Sequence, residues 1–118
     1  MTKAERFQVY NKYGGHCAYC GKVIAYKDMQ VDHIIPQKML YGIDRQHVDH
    51  IENLNPSCRR CNHYKRASKL ETFRRLIKTL HERVQSNYIC KVAEDYGIIE
   101  VKPWDGKFYF ERVSDDGN

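Results

Sequence analysis

Two cysteine pairs of identical spacing, Cys17-Ala-Tyr-Cys20 and Cys58-Arg-Arg-Cys61, are the first residues in this chain able to do chemistry together. Zinc in a structural site takes four tetrahedral ligands, commonly thiolates offered as two Cys-x-x-Cys pairs. In a reducing compartment such pairs point to a metal and not to disulfides. The stretch between them is longer than in a simple zinc ribbon, so a bound ion would clamp an inserted unit at both ends. His16, beside Cys17, is an alternative ligand. Cys90 has no partner in sequence and is expected to pack as a small buried hydrophobe. Inside the clamped stretch lies Val31-Asp32-His33-Ile34-Ile35-Pro36, and Glu52-Asn53-Leu54 leads into the second pair, which runs on into Asn62. An imidazole of near-neutral pKa can take a proton from water. Carboxylate and amide oxygens suit a hard divalent ion. His47 and His50, as His-x-x-His, are either metal ligands or solvated loop residues.

The elements that must position these groups are short. Met29 to Ile35 reads as a strand stopped by Pro36, since proline removes a ladder donor. Asp32 and His33, as strand neighbours, point to opposite faces unless the strand twists or ends there. Asn53 to Ser57 is a second extended piece, and a helix is expected from Cys58 to about Arg66. On a helical wheel Arg59, Asn62 and Arg66 fall within about 60°, with Cys58 and Cys61 on the adjoining side and Lys65 at the seam. One short helix could hold a metal with one face and present an amide oxygen and cations on the next. Upstream, Thr2 and Glu5 form a capping box for a helix to about Tyr13, ended by Gly14-Gly15. Lys22 to Tyr26 reads as a short strand closing a hairpin. Downstream, Ser68-x-x-Glu71 opens one amphipathic helix carrying Leu70, Phe73, Leu76, Ile77, Leu80 and Val84. A shorter helix spans Asn87 to Tyr96. Residues 98–113 read as a β-hairpin around Pro-Trp-Asp-Gly.

Composition bounds the rest. With 118 residues, 42% hydrophobic and 30% charged, the chain is expected to be one domain, 1–118, divided as 15–66, 67–97 and 98–113. No run of eighteen apolar residues occurs, so no membrane span is expected. The Met-Thr-Lys-Ala-Glu-Arg start has no apolar export segment, so a cytoplasmic location is expected. Net charge is +5 and the pI near 9.0, which suits a polyanionic partner.

Taken in order, knuckle, Asp-His, Asn, knuckle, Asn62 and Lys65, the stretch Gly15–Lys65 resembles the HNH endonucleases, whose fold is the ββα-metal or His-Me finger. The resemblance implies an α+β chain: a ββα-metal finger stapled by a four-cysteine zinc site, with flanking helices and the C-terminal hairpin. It implies a metal-dependent DNA endonuclease leaving 5′-phosphate and 3′-hydroxyl ends. His33 looks like the general base that activates water, and Asp32 like a ligand of the catalytic ion. Asn53 resembles the middle Asn, which braces the loop and orients the base. Asn62 stands where many members carry the final His, which makes this chain similar to the HNN subtype. Lys65 matches a lysine near phosphate, and Arg59, Arg60 and Arg66 would join it in backbone contacts. The ligand pair Asp32 and Asn62, being all oxygen, favours Mg²⁺ or Mn²⁺ over Zn²⁺ at the catalytic position. Duplex DNA is the expected partner, a dimer is open, and the small size leans toward a prokaryotic, phage or mobile-element enzyme. The competing reading is a non-catalytic zinc module that binds nucleic acid or protein. A third is an RNA-directed nuclease.

Overall fold

The computed structural model describes residues 1–36 and 49–116. The long connection expected from Gln37 to Ile51, with His47, lies almost wholly outside the described residues. The chain divides into two compact units, Met1–Leu70 with Phe108–Asn118, and Glu71–Lys107.

The first unit opens with helix α1, Lys3–Asn11, whose N-cap Thr2 accepts from the Glu5 N–H at 3.1 Å, as the capping box requires. Strand β1, Gln30–His33, pairs antiparallel with β2, Leu54–Ser57, in the register Gln30↔Ser57, Val31↔Pro56, Asp32↔Asn55 and His33↔Leu54. Helix α2, Arg59–Lys65, follows at once, with Cys58 as its N-cap. This is a ββα unit. Its core gathers Val9, Cys17, Ala18, Tyr19, Ile24, Met29, Leu54, Cys58 and Phe108, all at 6% exposure or less. The Lys22–Tyr26 strand is not formed: that stretch makes a single bridge, His16↔Val23, and a 3-10 turn over Tyr26–Asp28.

Lys12 fastens α1 to the approach of β2. Its Nζ donates to the Ile51 carbonyl (3.0 Å), the Leu54 carbonyl (2.7 Å) and Asn55 Oδ1 (3.4 Å). Burial depresses its ammonium pKa, with Glu52 opposing.

The second unit is helical. The expected single helix is interrupted at Thr79, giving α3, Leu70–Lys78, and α4, Leu80–Ser86. The Thr79 hydroxyl donates to the Leu76 carbonyl at 2.7 Å, the local side-chain competition that disfavours threonine in helix interiors. Helix α5, Tyr88–Asp95, is capped by Asn87, whose Oδ1 accepts from the Cys90 N–H at 3.3 Å. Cys90 itself is half-buried, less enclosed than expected. Arg74 is held by both Glu71 oxygens (2.9 and 2.7 Å) and by the Gly106 carbonyl.

The C-terminal hairpin is a correction. Residues 98–108 form no strand, and Tyr109–Asp116 is a helix, α6. Glu111 Oε1 accepts from the Phe108 N–H at 2.9 Å, the acidic half of a capping box that starts a helix where alternation suggested a strand. The Asp-Gly turn chemistry is real: Asp105 Oδ1 accepts from the Lys107 N–H at 3.0 Å. Helix N-termini leave their first N–H groups without intrahelical partners. Here those of Tyr109 and Phe110 donate to the Tyr19 and Ala18 carbonyls at 3.1 and 2.9 Å. Thus α6 is docked on the first cysteine knuckle.

Candidate active site and zinc cluster

Local backbone chemistry brings the four cysteines together. Gly21, at φ +83°, takes the left-handed conformation that turns the first knuckle, and its α-carbon lies so close to Tyr109 that a Cβ would come within 2.7 Å of the ring. In the second knuckle the Cys58 Sγ accepts from the Cys61 N–H at 3.3 Å, as an N-cap side chain does. The sulfurs of Cys17, Cys20, Cys58 and Cys61 all lie within 4.8 Å of one another. Cys20 and Cys58 are 3.8 Å apart, and a tetrahedron of Zn–S bonds of about 2.3 Å has edges of about 3.8 Å.

The thiols respond to this crowding. Hydrogen bonds from Cys20 and Cys61 pull the Cys17 thiol far below its ordinary range. The same contacts push Cys20 and Cys61 up, with burial adding to both. A divalent cation would favour thiolate at every position. The cluster suits a structural zinc ion. His16 is outside it: Nδ1 faces the Tyr13 carbonyl at 3.0 Å and the ring stacks on Tyr109.

Asp32 sits on β1 at 5% exposure, facing α2. Lys65 Nζ lies 3.3 Å from its Oδ1 and 3.1 Å from its Oδ2 and also donates to the carbonyls of His33 (3.2 Å) and Ser68 (2.9 Å). The Tyr19 hydroxyl donates to Oδ2. Burial raises the Asp32 pKa, and the Tyr19 hydrogen bond and the Lys65 charge oppose that rise. Lys65 is therefore a buried ion-pair partner at 2% exposure and not a surface cation for phosphate. The wheel placed it at the seam, and the inward side of that seam won, because three acceptors satisfy its ammonium there. Ser68 does not cap α3; its hydroxyl turns back to the Lys65 carbonyl at 2.6 Å.

His33 ends the strand with its side chain one-fifth exposed and Nε2 3.1 Å from Asp49 Oδ1. A carboxylate can only accept, so this contact puts the proton on Nε2 and leaves the lone pair on Nδ1. Asn53 is buried in the turn beyond. Its Oδ1 accepts from the Ile35 N–H at 2.9 Å, its Nδ2 donates to the Ile35 carbonyl at 3.1 Å, and its own carbonyl accepts from the Ile34 N–H at 2.9 Å. The residues just after His33 are thereby fixed from both sides.

Asn62 precedes Lys65 by one helical turn, and residues three apart share a helix face. It therefore projects from the same broad side of α2 as Lys65. The Asn62 amide makes no hydrogen bond among the described residues. A carboxylate has about four lone-pair sites, so Asp32 keeps acceptor capacity beyond Tyr19 and Lys65. One buried carboxylate and one open amide, both oxygen donors, fit a hard divalent ion in chemistry.

Arg59 and Arg60 are exposed, and with Lys22, Lys27 and His63 they line a groove of about 870 Å³ whose lining includes one acid, Asp28. Arg66 is exposed at the end of α2, at φ +54°. Sequence reasoning missed Lys22, Lys27, Asp49 and the Tyr19 contact. Tyr19 looked like a spacer between ligands, and nothing local marks a hydroxyl that meets a carboxylate thirteen residues away.

Residues 17–68 match the family model described as HNH endonuclease. The stretch that carries the knuckles, the Asp-His pair and Asn62 is thus the part of the chain that is similar to the HNH endonucleases. Among solved structures the chain is similar to the crystal structure of the Type II-C Cas9 enzyme from Actinomyces naeslundii, at 28% identity and a TM-score of 0.50. That match covers 69% of this chain and 9% of the Cas9 chain. No curated protein matches.

Proposed function

We propose that the chain is a metal-dependent endonuclease that hydrolyses phosphodiester bonds in duplex DNA. The observation that carries this reading is the pairing at the end of β1. A buried carboxylate, Asp32, is fixed against α2, while the next residue, His33, stays accessible with its Nε2 engaged by Asp49.

His33 takes the proton of the attacking water at Nδ1, since Nε2 is committed. Asn53 holds the turn behind His33 and so sets the ring's position. Asp32 and Asn62 would hold Mg²⁺ or Mn²⁺, which supplies, when bound, positive charge for the developing phosphorane and the departing 3′-oxygen. The groove of Lys22, Lys27, Arg59, Arg60 and His63 receives the flanking phosphates, giving position and not sequence choice. Arg66 adds an exposed cation at the end of the same helix.

The test is nicking of supercoiled plasmid in Mg²⁺ by the zinc-loaded protein and its His33→Ala variant. Loss of a general base costs about 10²- to 10⁴-fold, so the variant should be nearly silent. Equal nicking by both, or none by the parent, would overturn the reading. Unaltered DNA binding by a silent parent would favour the non-catalytic zinc module.

A further inference from the structure

We propose that Tyr19, the residue between the first pair of zinc ligands, is a positioning residue for Asp32, at the end of a directed hydrogen-bond chain that begins at Lys12. The inference rests on the nuclease reading and deepens it: it says how the metal-binding carboxylate is oriented.

The direction of the chain follows from which groups can only donate. The Lys12 ammonium has no acceptor function and donates to Asn55 Oδ1 at 3.4 Å. That fixes the Asn55 amide with its NH₂ turned the other way, where Nδ2 donates to the Tyr19 hydroxyl at 3.4 Å. The Tyr19 oxygen is thereby an acceptor toward Asn55, and its single proton goes to Asp32 Oδ2. Each step points from ammonium to carboxylate. Asn55 is fully buried and stands opposite Asp32 in the sheet register, so the relay is set by strand pairing as well as by side chains.

The ring carrying the hydroxyl is equally constrained. Phe108 and Phe110 meet it edge-on, at centroid distances of 5.3 and 6.1 Å, and its own backbone carbonyl is capped by the Tyr109 N–H. The knuckle sulfurs on either side of Tyr19 anchor the same few residues. With Oδ2 engaged by Tyr19 and Lys65 spanning both oxygens, the carboxylate is held in one orientation with its remaining lone pairs on a defined side. The structural zinc site and the candidate catalytic carboxylate are thus joined through one side chain.

The experiment measures Mn²⁺ affinity by electron paramagnetic resonance on zinc-loaded protein, for the parent, Tyr19→Phe and Tyr10→Phe. Tyr10 donates a comparable hydroxyl bond, to the Ile24 carbonyl at 2.8 Å, away from Asp32. Tyr19→Phe should keep its zinc and bind Mn²⁺ about 10- to 100-fold more weakly, the usual effect of removing a partner behind a metal ligand. Nicking by that variant should need correspondingly more Mg²⁺ and recover at saturation, while Tyr10→Phe tracks the parent. Unchanged Mn²⁺ affinity in Tyr19→Phe overturns the proposal alone. So does loss of zinc in that variant, since the hydroxyl would then belong to knuckle folding. A parent that binds no Mn²⁺ and does not nick overturns the nuclease reading, and this inference with it.

Discussion

Lys65 and Arg59 belong to the same short helix, yet their charges face different tasks. Lys65 is enclosed, with its ammonium on Asp32 and two carbonyls, whereas Arg59 lines the open basic groove. Removing one member of a buried ion pair leaves an uncompensated charge and costs about 3–5 kcal/mol. Lys65→Met should therefore lower the urea-unfolding free energy of the zinc-loaded protein by that order. Arg59→Ala, at an exposed site, should stay within about 0.5 kcal/mol of the parent. Equal stabilities for both would remove the ion pair from the account. The residue type of Lys65 invites a phosphate contact, and its place in the HNH-like pattern invites it further. What the sequence could not supply was the partner, because Asp32 lies thirty-three residues away and is brought in by strand pairing. Asp32, His33, Asn53 and Asn62 were legible as types in order. The hydrogen bonds of Asp32, His33 and Asn53 were not, since each is closed by a residue distant in sequence.

At the scale of elements the chain depends on its first knuckle, where a cysteine cluster suited to zinc, a tyrosine hydroxyl and the start of α6 converge. Thiolates are gathered there only by the fold, so metal affinity is folding free energy. Stripping zinc with a chelator should abolish the cooperative thermal transition and much of the helical circular dichroism. Zinc should restore both and Mg²⁺ should not, and persistence of a sharp transition in metal-free protein would contradict this. Phe108 tests the other half of the junction. It is 2% exposed and lies edge-on to Tyr19. Phe108→Ala should cost about 3–5 kcal/mol, as buried phenylalanine truncations do, measured by denaturant unfolding. An unaffected midpoint would show that α6 merely lies near the knuckle. Spacing alone disclosed the four clustered cysteines, while the Tyr19 contact inside the first knuckle was missed and α6 was misread. Alternating aromatics around Pro-Trp-Asp-Gly carry a strand period, while the decisive signal, Glu111 placed to reach the Phe108 N–H, is a single residue. Helix α1 went the other way: Thr2 and Glu5 are adjacent enough for the cap to be read directly, and it forms.

Across the whole molecule the net charge of +5 carries little information until its distribution is known. Some cations are spent internally: Lys65 on Asp32, Lys12 on the Ile51 and Leu54 carbonyls, Arg74 on Glu71. Others stay exposed and converge, with Lys22, Lys27, Arg59 and Arg60 around one groove and Asp28 as its acid. That arrangement makes a quantitative prediction about DNA binding. Each phosphate neutralised releases condensed counterions, so log K falls against log salt with a slope of about −0.9 per contact on duplex DNA. If the four groove cations each meet a phosphate, the slope for a non-cleaving His33→Ala protein should be about −3 to −4. Replacing both Arg59 and Arg60 by alanine should make it shallower by about 2, and should weaken binding to all sequences alike, because phosphate contacts do not read bases. Replacing Arg74 should leave the slope where it was, since that guanidinium is already bonded to Glu71 and the Gly106 carbonyl. The measurement is fluorescence anisotropy of a labelled duplex titrated across a salt series. A slope indifferent to Arg59 and Arg60, or moved equally by Arg74, would show that DNA follows some path other than the groove beside α2.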